Sequence, residues 1–127
     1  MAARRAPSLD DTLRELDAGF SETLIALIDA RQMTDVEVYK RANMTRQHFS
    51  KIRKNRHYRP KKQTVLALAV ALRLTLPETR DLLARAGFAL THADKRDIIV
   101  EYHLVHKIYD INVINICLFD YDQPLLG

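Results

Sequence analysis

The stretch from Thr34 to Asn55, TDVEVYKRANMTRQHFSKIRKN, decides the fold. Thr34 and Glu37 stand at capping-box spacing, where a hydroxyl and a carboxylate each satisfy an orphan amide at a helix start. Met33 and Val38 flank them as a hydrophobic staple. This predicts a short helix from Asp35 to about Ala42. Asn43 follows where the chain must turn left-handed to stop, a conformation asparagine tolerates better than most residues. Thr45, two positions on, is a fresh N-cap for a second helix, Arg46 to Lys54. Phe49 and Ile52 mark its inner side, while Arg46, Gln47, Lys51 and Lys54 lie elsewhere on it.

Working outward, residues 1–8 read as a mobile arm, and Leu9, Leu13 and Leu16 have the spacing of a short helix. From Phe20, with Ser21 as the expected cap, Leu24, Ile25, Leu27 and Ile28 form an apolar face running to about Gln32. On the other side a loop, Asn55 to Lys62, holds Tyr58 and Pro60. Val65, Leu66, Leu68, Ala69 and Leu72 then place a core helix over Gln63 to Leu72. Thr75, Pro77 and Glu78 start another, with Leu82, Leu83 and Ala86 facing inward and Gly87 as its stop. Thr91 and Asp94 form a further capping pattern ahead of Ile98 to Val105, and Asp110 caps Ile111 to Phe119. These last two helices are apolar on more than one face, so something must cover them: the preceding helices or a partner chain. The expected organisation is all-α. It comprises an arm with a possible short helix (1–19), a five-helix unit (20–90) and a C-terminal helical extension (91–127) on the same core, serving dimerisation or partner docking.

Composition agrees. A chain of 127 residues predicts one domain, and 47% hydrophobic with 28% charged residues is an ordinary globular balance. Three glycines and four prolines argue against a many-turned all-β chain, and the lone Cys117 against a disulfide framework. The net charge of +4 is uninformative until it is mapped. Between Lys40 and Lys62 there are ten basic residues and no acidic one, so the rest of the chain carries a net −6. A block held together against its own repulsion points to an anionic partner, nucleic acid before an acidic membrane surface. No apolar run is long enough to span a membrane and no secretory leader is recognisable, which predicts a cytoplasmic location. His103 and His106, with Asp97, Glu101 and Cys117 nearby, lack the close cysteine pair or HExxH spacing of a zinc site. They read instead as partly exposed side chains on an amphipathic helix, with Cys117 a buried thiol. No glycine-rich phosphate loop, nucleophile elbow or Cys-x-x-Cys is present, so neither an enzyme, a metal nor a cofactor is expected.

Two short helices across a tight turn form a helix-turn-helix unit, whose second helix can enter the major groove. The five-helix order, the capping box at Thr34, Phe49-Ser50-Lys51-Ile52, Asn55, Pro60 and Leu66-Ala67-Leu68-Ala69 together resemble the phage-repressor (Cro/C1, XRE-type) helix-turn-helix family. The resemblance covers about residues 20–87. It implies a lambda-repressor-like domain and a transcriptional regulator that binds double-stranded DNA sequence-specifically, usually as a homodimer. Carried over by position, it implies base contacts from Arg46, Gln47 and Lys51. Phosphate contacts would come from Thr45, Lys54, Arg56, Lys61 and Lys62. The pattern departs from the family at Tyr39, where alanine is usual, and at Asn43, where glycine is usual. Asp35 places an acid where the family often offers phosphate a donor. The Tyr39 and Asp35 departures favour an alternative, a protein-interaction adaptor built on the same fold and gripping its partner through the extension or the Pro-Leu-Leu-Gly tail. A third reading is RNA binding through the basic block, with Tyr58 stacking on an unpaired base.

Overall fold

The computed structural model describes residues 6–127, and every regular element among them is a helix. In chain order these are α1 (Leu9–Leu13), α2 (Phe20–Ala30), α3 (Asp35–Arg41), α4 (Arg46–Lys54), α5 (Lys62–Ala71), α6 (Leu76–Arg85), α7 (Lys95–Val105) and α8 (Ile111–Asp120). The protein is all-α, and no helix is long and apolar enough to cross a membrane among the described residues. Most of the arm assigned to residues 1–8 lies outside the described residues.

Side-chain caps start most of these helices. Thr34, Thr45, Thr75, Asp94 and Asp110 each accept a bond from a backbone amide of the first turn. Only Thr75 and Glu78 complete a reciprocal capping box. At Thr34 half of the predicted box forms: its hydroxyl accepts from the Glu37 amide, but the Glu37 carboxylate receives the Thr34 hydroxyl rather than the Thr34 amide. The Glu78 carboxyl lies below its ordinary range because the Thr75 amide donates to it and Arg31 donates to both oxygens, at 2.8 and 2.9 Å.

The helix ends share one device. After α2, α3, α5, α6, α7 and α8 a residue turns left-handed: Gln32, Asn43, Arg73, Gly87, Lys107 and Asp122 in turn. In each case its amide and the next one reach back to carbonyls of the last turn, the paired closure of a Schellman motif. The residue after the turn is apolar in five of the six (Met33, Met44, Leu74, Phe88, Ile108), and all of these but Ile108 pack into or against the core.

The core is centred on α5, where every residue from Thr64 to Leu72 is buried. Its low amphipathicity follows: α3, α6 and α8 cover it from separate sides, and Ala67, Ala69 and Ala71 let them approach closely. The 91–127 segment has no core of its own. Ile99, Val100, Leu104, Ile111, Ile114, Leu118 and Leu126 join Leu24, Ile52 and Leu66 in one cluster.

Several local expectations need correction. Gly19, not Ser21, caps α2; the Ser21 hydroxyl is buried and donates to the Asn55 carbonyl at 3.2 Å, tying α2 to the far end of α4. The short helix expected through Leu9, Leu13 and Leu16 does form, as α1, but it ends at Leu13 and all three leucines are exposed. His103 is buried, with Nδ1 2.7 Å from the Ile99 carbonyl, and Cys117 is only half-buried. The C-terminal tail is not free: Leu126 is buried, and both its backbone groups bond the Asn115 amide, at 2.8 and 3.1 Å.

Candidate nucleic-acid interface

The basic surface is built on α4. Thr45 caps it by accepting from the His48 amide at 3.1 Å, and its bounds coincide with the predicted ones. Phe49 and Ile52 are buried, which fixes the helix's rotation. At about 3.6 residues per turn, Arg46, Gln47, Ser50, Lys51 and Lys54 then fall on the opposite side. All but Ser50 are exposed, and Ser50 is half-buried. This face forms a crest between two hollows. One, of about 550 Å³, lies towards α3 and is lined by Val36, Tyr39 and Arg53. The other, of about 440 Å³, lies towards Asn55 and Tyr58. Ser50 and Lys54 border both, so they stand on the ridge itself. Ser50 escaped the sequence reading although its place four residues from both Arg46 and Lys54 is enough to find it.

The three residues that depart from the family pattern have local explanations. The Tyr39 ring packs against Phe49 with centroids 6.0 Å apart, filling the space between α3 and α4. The Asp35 carboxylate lies 3.3 Å from Arg53 Nε, so the acid enters the surface already paired. Asn43 takes the left-handed turn with φ 54°, as the sequence predicted.

The loop after α4 is anchored rather than loose. Asn55 Oδ1 accepts from the His57 amide at 2.9 Å, and Pro60 is buried. The Tyr58 hydroxyl lies 3.2 Å from His48 Nε2, which leaves the half-buried ring committed to packing on α4 rather than open to a base.

The cations assigned to phosphate fall into different environments. Lys54 and Lys61 are exposed and have no ion pair among the described residues; nor do Arg46, Lys51 and Arg59. Arg56 is exposed but pairs with Glu22 at 2.9 Å. Lys62 differs from all of these: it opens α5 rather than ending the loop, and its ammonium is 2.6 Å from the buried Asp97 carboxylate of α7. The structure thus brings Thr45, Arg46, Gln47, Lys51 and Lys54 onto one element and leaves Lys62 inside a contact with the extension. Nothing in the local sequence around Lys62 announces this, since its partner is 35 residues away.

Compared with known proteins, the chain matches no family model, and no curated protein or solved structure is significantly similar to it.

Proposed function

We propose that residues 20–87 form a repressor-like helix-turn-helix domain that binds double-stranded DNA sequence-specifically, with α4 as its recognition helix and transcriptional regulation as its role. The observation that carries this reading is the α4 crest, a polar and basic ridge one helix wide, flanked by hollows and rooted by Phe49 and Ile52. A B-form major groove admits a single helix, and arginine, glutamine and lysine match the acceptor and donor edges of guanine and adenine. The free amides behind the Thr45 cap suit a phosphate. Arg46, Gln47 and Lys51 read bases, while Thr45, Lys54 and Lys61 hold phosphates, with Arg56 joining them if its pair with Glu22 opens.

Selection of bound sequences from a random duplex pool, run beside a single-stranded RNA pool, tests this directly. A duplex consensus is expected, and Gln47→Ala should relax it at one position. Enrichment only from the RNA pool overturns the reading.

A specific feature favours a homodimer as the binding form. Ile98 and Tyr102 of α7 and Tyr121 beyond α8 are exposed, around a mainly apolar hollow of about 510 Å³ floored by Ile99 and Cys117. Apolar exposure of this kind marks an interaction surface. A second copy is the occupant that also supplies the second half-site of a palindromic operator. Sedimentation of the full chain checks it: Ile98→Asp should convert a dimer to a monomer, and a monomer at high micromolar concentration in the parent protein sinks it. The adaptor alternative loses its proposed grip through the tail, because Leu126 is buried in the chain's own core.

A further inference from the structure

Lys40 and Arg41 belong by sequence to the basic block, yet they do not face the hollow beside α4, whose α3 wall is Asp35, Val36 and Tyr39. They line a separate cleft of about 520 Å³, together with Arg73 from the turn after α5 and Lys107 from the turn after α7. Tyr109, Asp110 and the start of α8 complete the wall. Four cations from three separate parts of the chain therefore meet around one concavity, and two of them come from outside the basic block.

Each cation on its own has an ordinary explanation. All four lie in or just beyond the last turn of a helix, where a positive charge complements the macrodipole. The dipoles do not require that the ends of α3, α5 and α7 converge, and the convergence costs mutual repulsion. Nor is that repulsion relieved locally. Lys40, Arg73 and Lys107 have no ion pair among the described residues, and Arg41 has only a 3.9 Å contact with Glu37. The single acid of the cleft, Asp110, is engaged as the cap of α8, accepting from the Asn112 amide at 2.9 Å. Tyr109 is fixed by its hydroxyl bond to the Leu74 carbonyl at 3.2 Å, which gives the cleft a rigid, partly apolar wall.

We propose that this cleft binds a small polyphosphate-bearing molecule, of the nucleoside di- or triphosphate class. The charge is complementary: four cations against one engaged carboxylate leave a surplus of three, the order of charge such a ligand carries. The volume falls in the range of about 300–1,000 Å³ usual for small-ligand sites. The position gives the ligand leverage, because its walls are α3, immediately before the turn into α4, and α8, from the extension. Bound phosphates would staple the two together. The site stands independently of the DNA-binding reading.

The test uses the full chain and three probes, inorganic pyrophosphate, tripolyphosphate and ATP, titrated calorimetrically at constant ionic strength with sulfate as the control anion. Saturable binding at one site per chain is expected, tighter than sulfate by about tenfold or more. Arg73→Asn with Lys107→Asn removes two charges while keeping residues that tolerate the left-handed turn, and should weaken binding at least about tenfold with the urea midpoint held. Arg41→Gln, within α3, provides a second variant free of any turn. Lys54→Ala should leave polyphosphate binding unchanged. The proposal is overturned by absent saturation at millimolar probe, by equal affinity in the Asn variant, or by sulfate binding as tightly. It is also overturned if the Asn variant loses duplex affinity while no probe binds, since the cleft is then a DNA backbone contact.

Discussion

Lys54 and Lys62 are interchangeable as letters in a basic run, and the structure predicts opposite phenotypes for them. Lys62 Nζ lies 2.6 Å from Asp97 Oδ2, the carboxylate is 1% exposed, and the same oxygen accepts the Thr91 amide at 3.0 Å. Lys62→Met keeps the aliphatic stem and deletes the charge. Asp97 is then left buried with one amide donor, since the nearest other cation, Arg96, sits 4.0 Å from Oδ1 without a hydrogen bond. Removing one partner of a buried pair costs about 3–5 kcal/mol. Arg96 offsets part of that, which sets the expectation at about 3 kcal/mol. With a urea slope of about 2 kcal/mol/M, the midpoint should fall by about 1.5 M. Lys62→Met with Asp97→Leu removes both charges and should recover all but about 1 kcal/mol, the residue being the orphaned Thr91 amide. Urea unfolding followed by circular dichroism measures these shifts. Duplex binding across a salt series supplies the contrast: Lys62→Met should leave the slope unchanged, whereas Lys54→Ala should lower it by about one and move stability by less than about 0.5 kcal/mol. A Lys62→Met protein with a parental urea midpoint and a shallower salt slope would refute the reasoning, placing Lys62 on phosphate after all.

Three further outcomes are expected. Glu78→Gln should cost about 1 kcal/mol at neutral pH, the upper range for a half-exposed pair. Because the Glu78 carboxyl is lowered in the folded state, its contribution is full above the ordinary carboxylate range and is lost as pH falls through the lowered value. Parent and variant should therefore converge in acid, and a pH-independent difference in urea midpoint would assign the effect to packing instead. Leu126→Ala should cost about 2–4 kcal/mol, a core truncation rather than a tail trimming, and a loss under about 0.5 kcal/mol in the same assay would show that the tail is not docked. The salt dependence of duplex binding should correspond to no more than five phosphate contacts per chain at about −0.9 each, since five cations of the α4 surface and its loop are unpaired among the described residues. A slope much steeper than about −5 per chain means that the Arg53 and Arg56 pairs open on binding.

The helix starts were legible in the sequence because their signals are chemical. Thr45, Thr75, Asp94 and Asp110 each carry an oxygen that can accept a backbone amide, and each begins a helix where expected. The stops were half legible. Asn43 and Gly87 belong to types that favour the left-handed turn, whereas Gln32, Arg73 and Lys107 adopt it with φ near 52–56° and carry no such preference. There the turn is set from the next position: Met33 and Leu74 are drawn back towards the core, and the amides of Met33, Leu74 and Ile108 complete the paired closure. A polar residue followed by a hydrophobe after a periodic segment is thus the missing signal, and a reading of residue types one at a time does not see it.

The candidate site was legible only as far as it is local. Thr45 to Lys54 is one helix, so the spacing of Phe49 and Ile52 was enough to say which side chains face outward. Charge, by contrast, is settled by partners distant in sequence. Of the ten cations counted as one block, Arg53 answers Asp35, Arg56 answers Glu22 and Lys62 answers Asp97. Lys40 and Arg41 turn to another cleft. Of the five that remain, Arg46, Lys51 and Lys54 are on α4, while Arg59 lines a hollow against the end of α6 and Lys61 stands at the start of α5, so folding leaves three unpaired cations together on one ridge. That grouping is a stronger argument for an anionic partner than the linear run was: solubility alone would be served by ten scattered cations, whereas here Arg53 and Arg56 are answered by acids beside the ridge and the ridge itself is left bare.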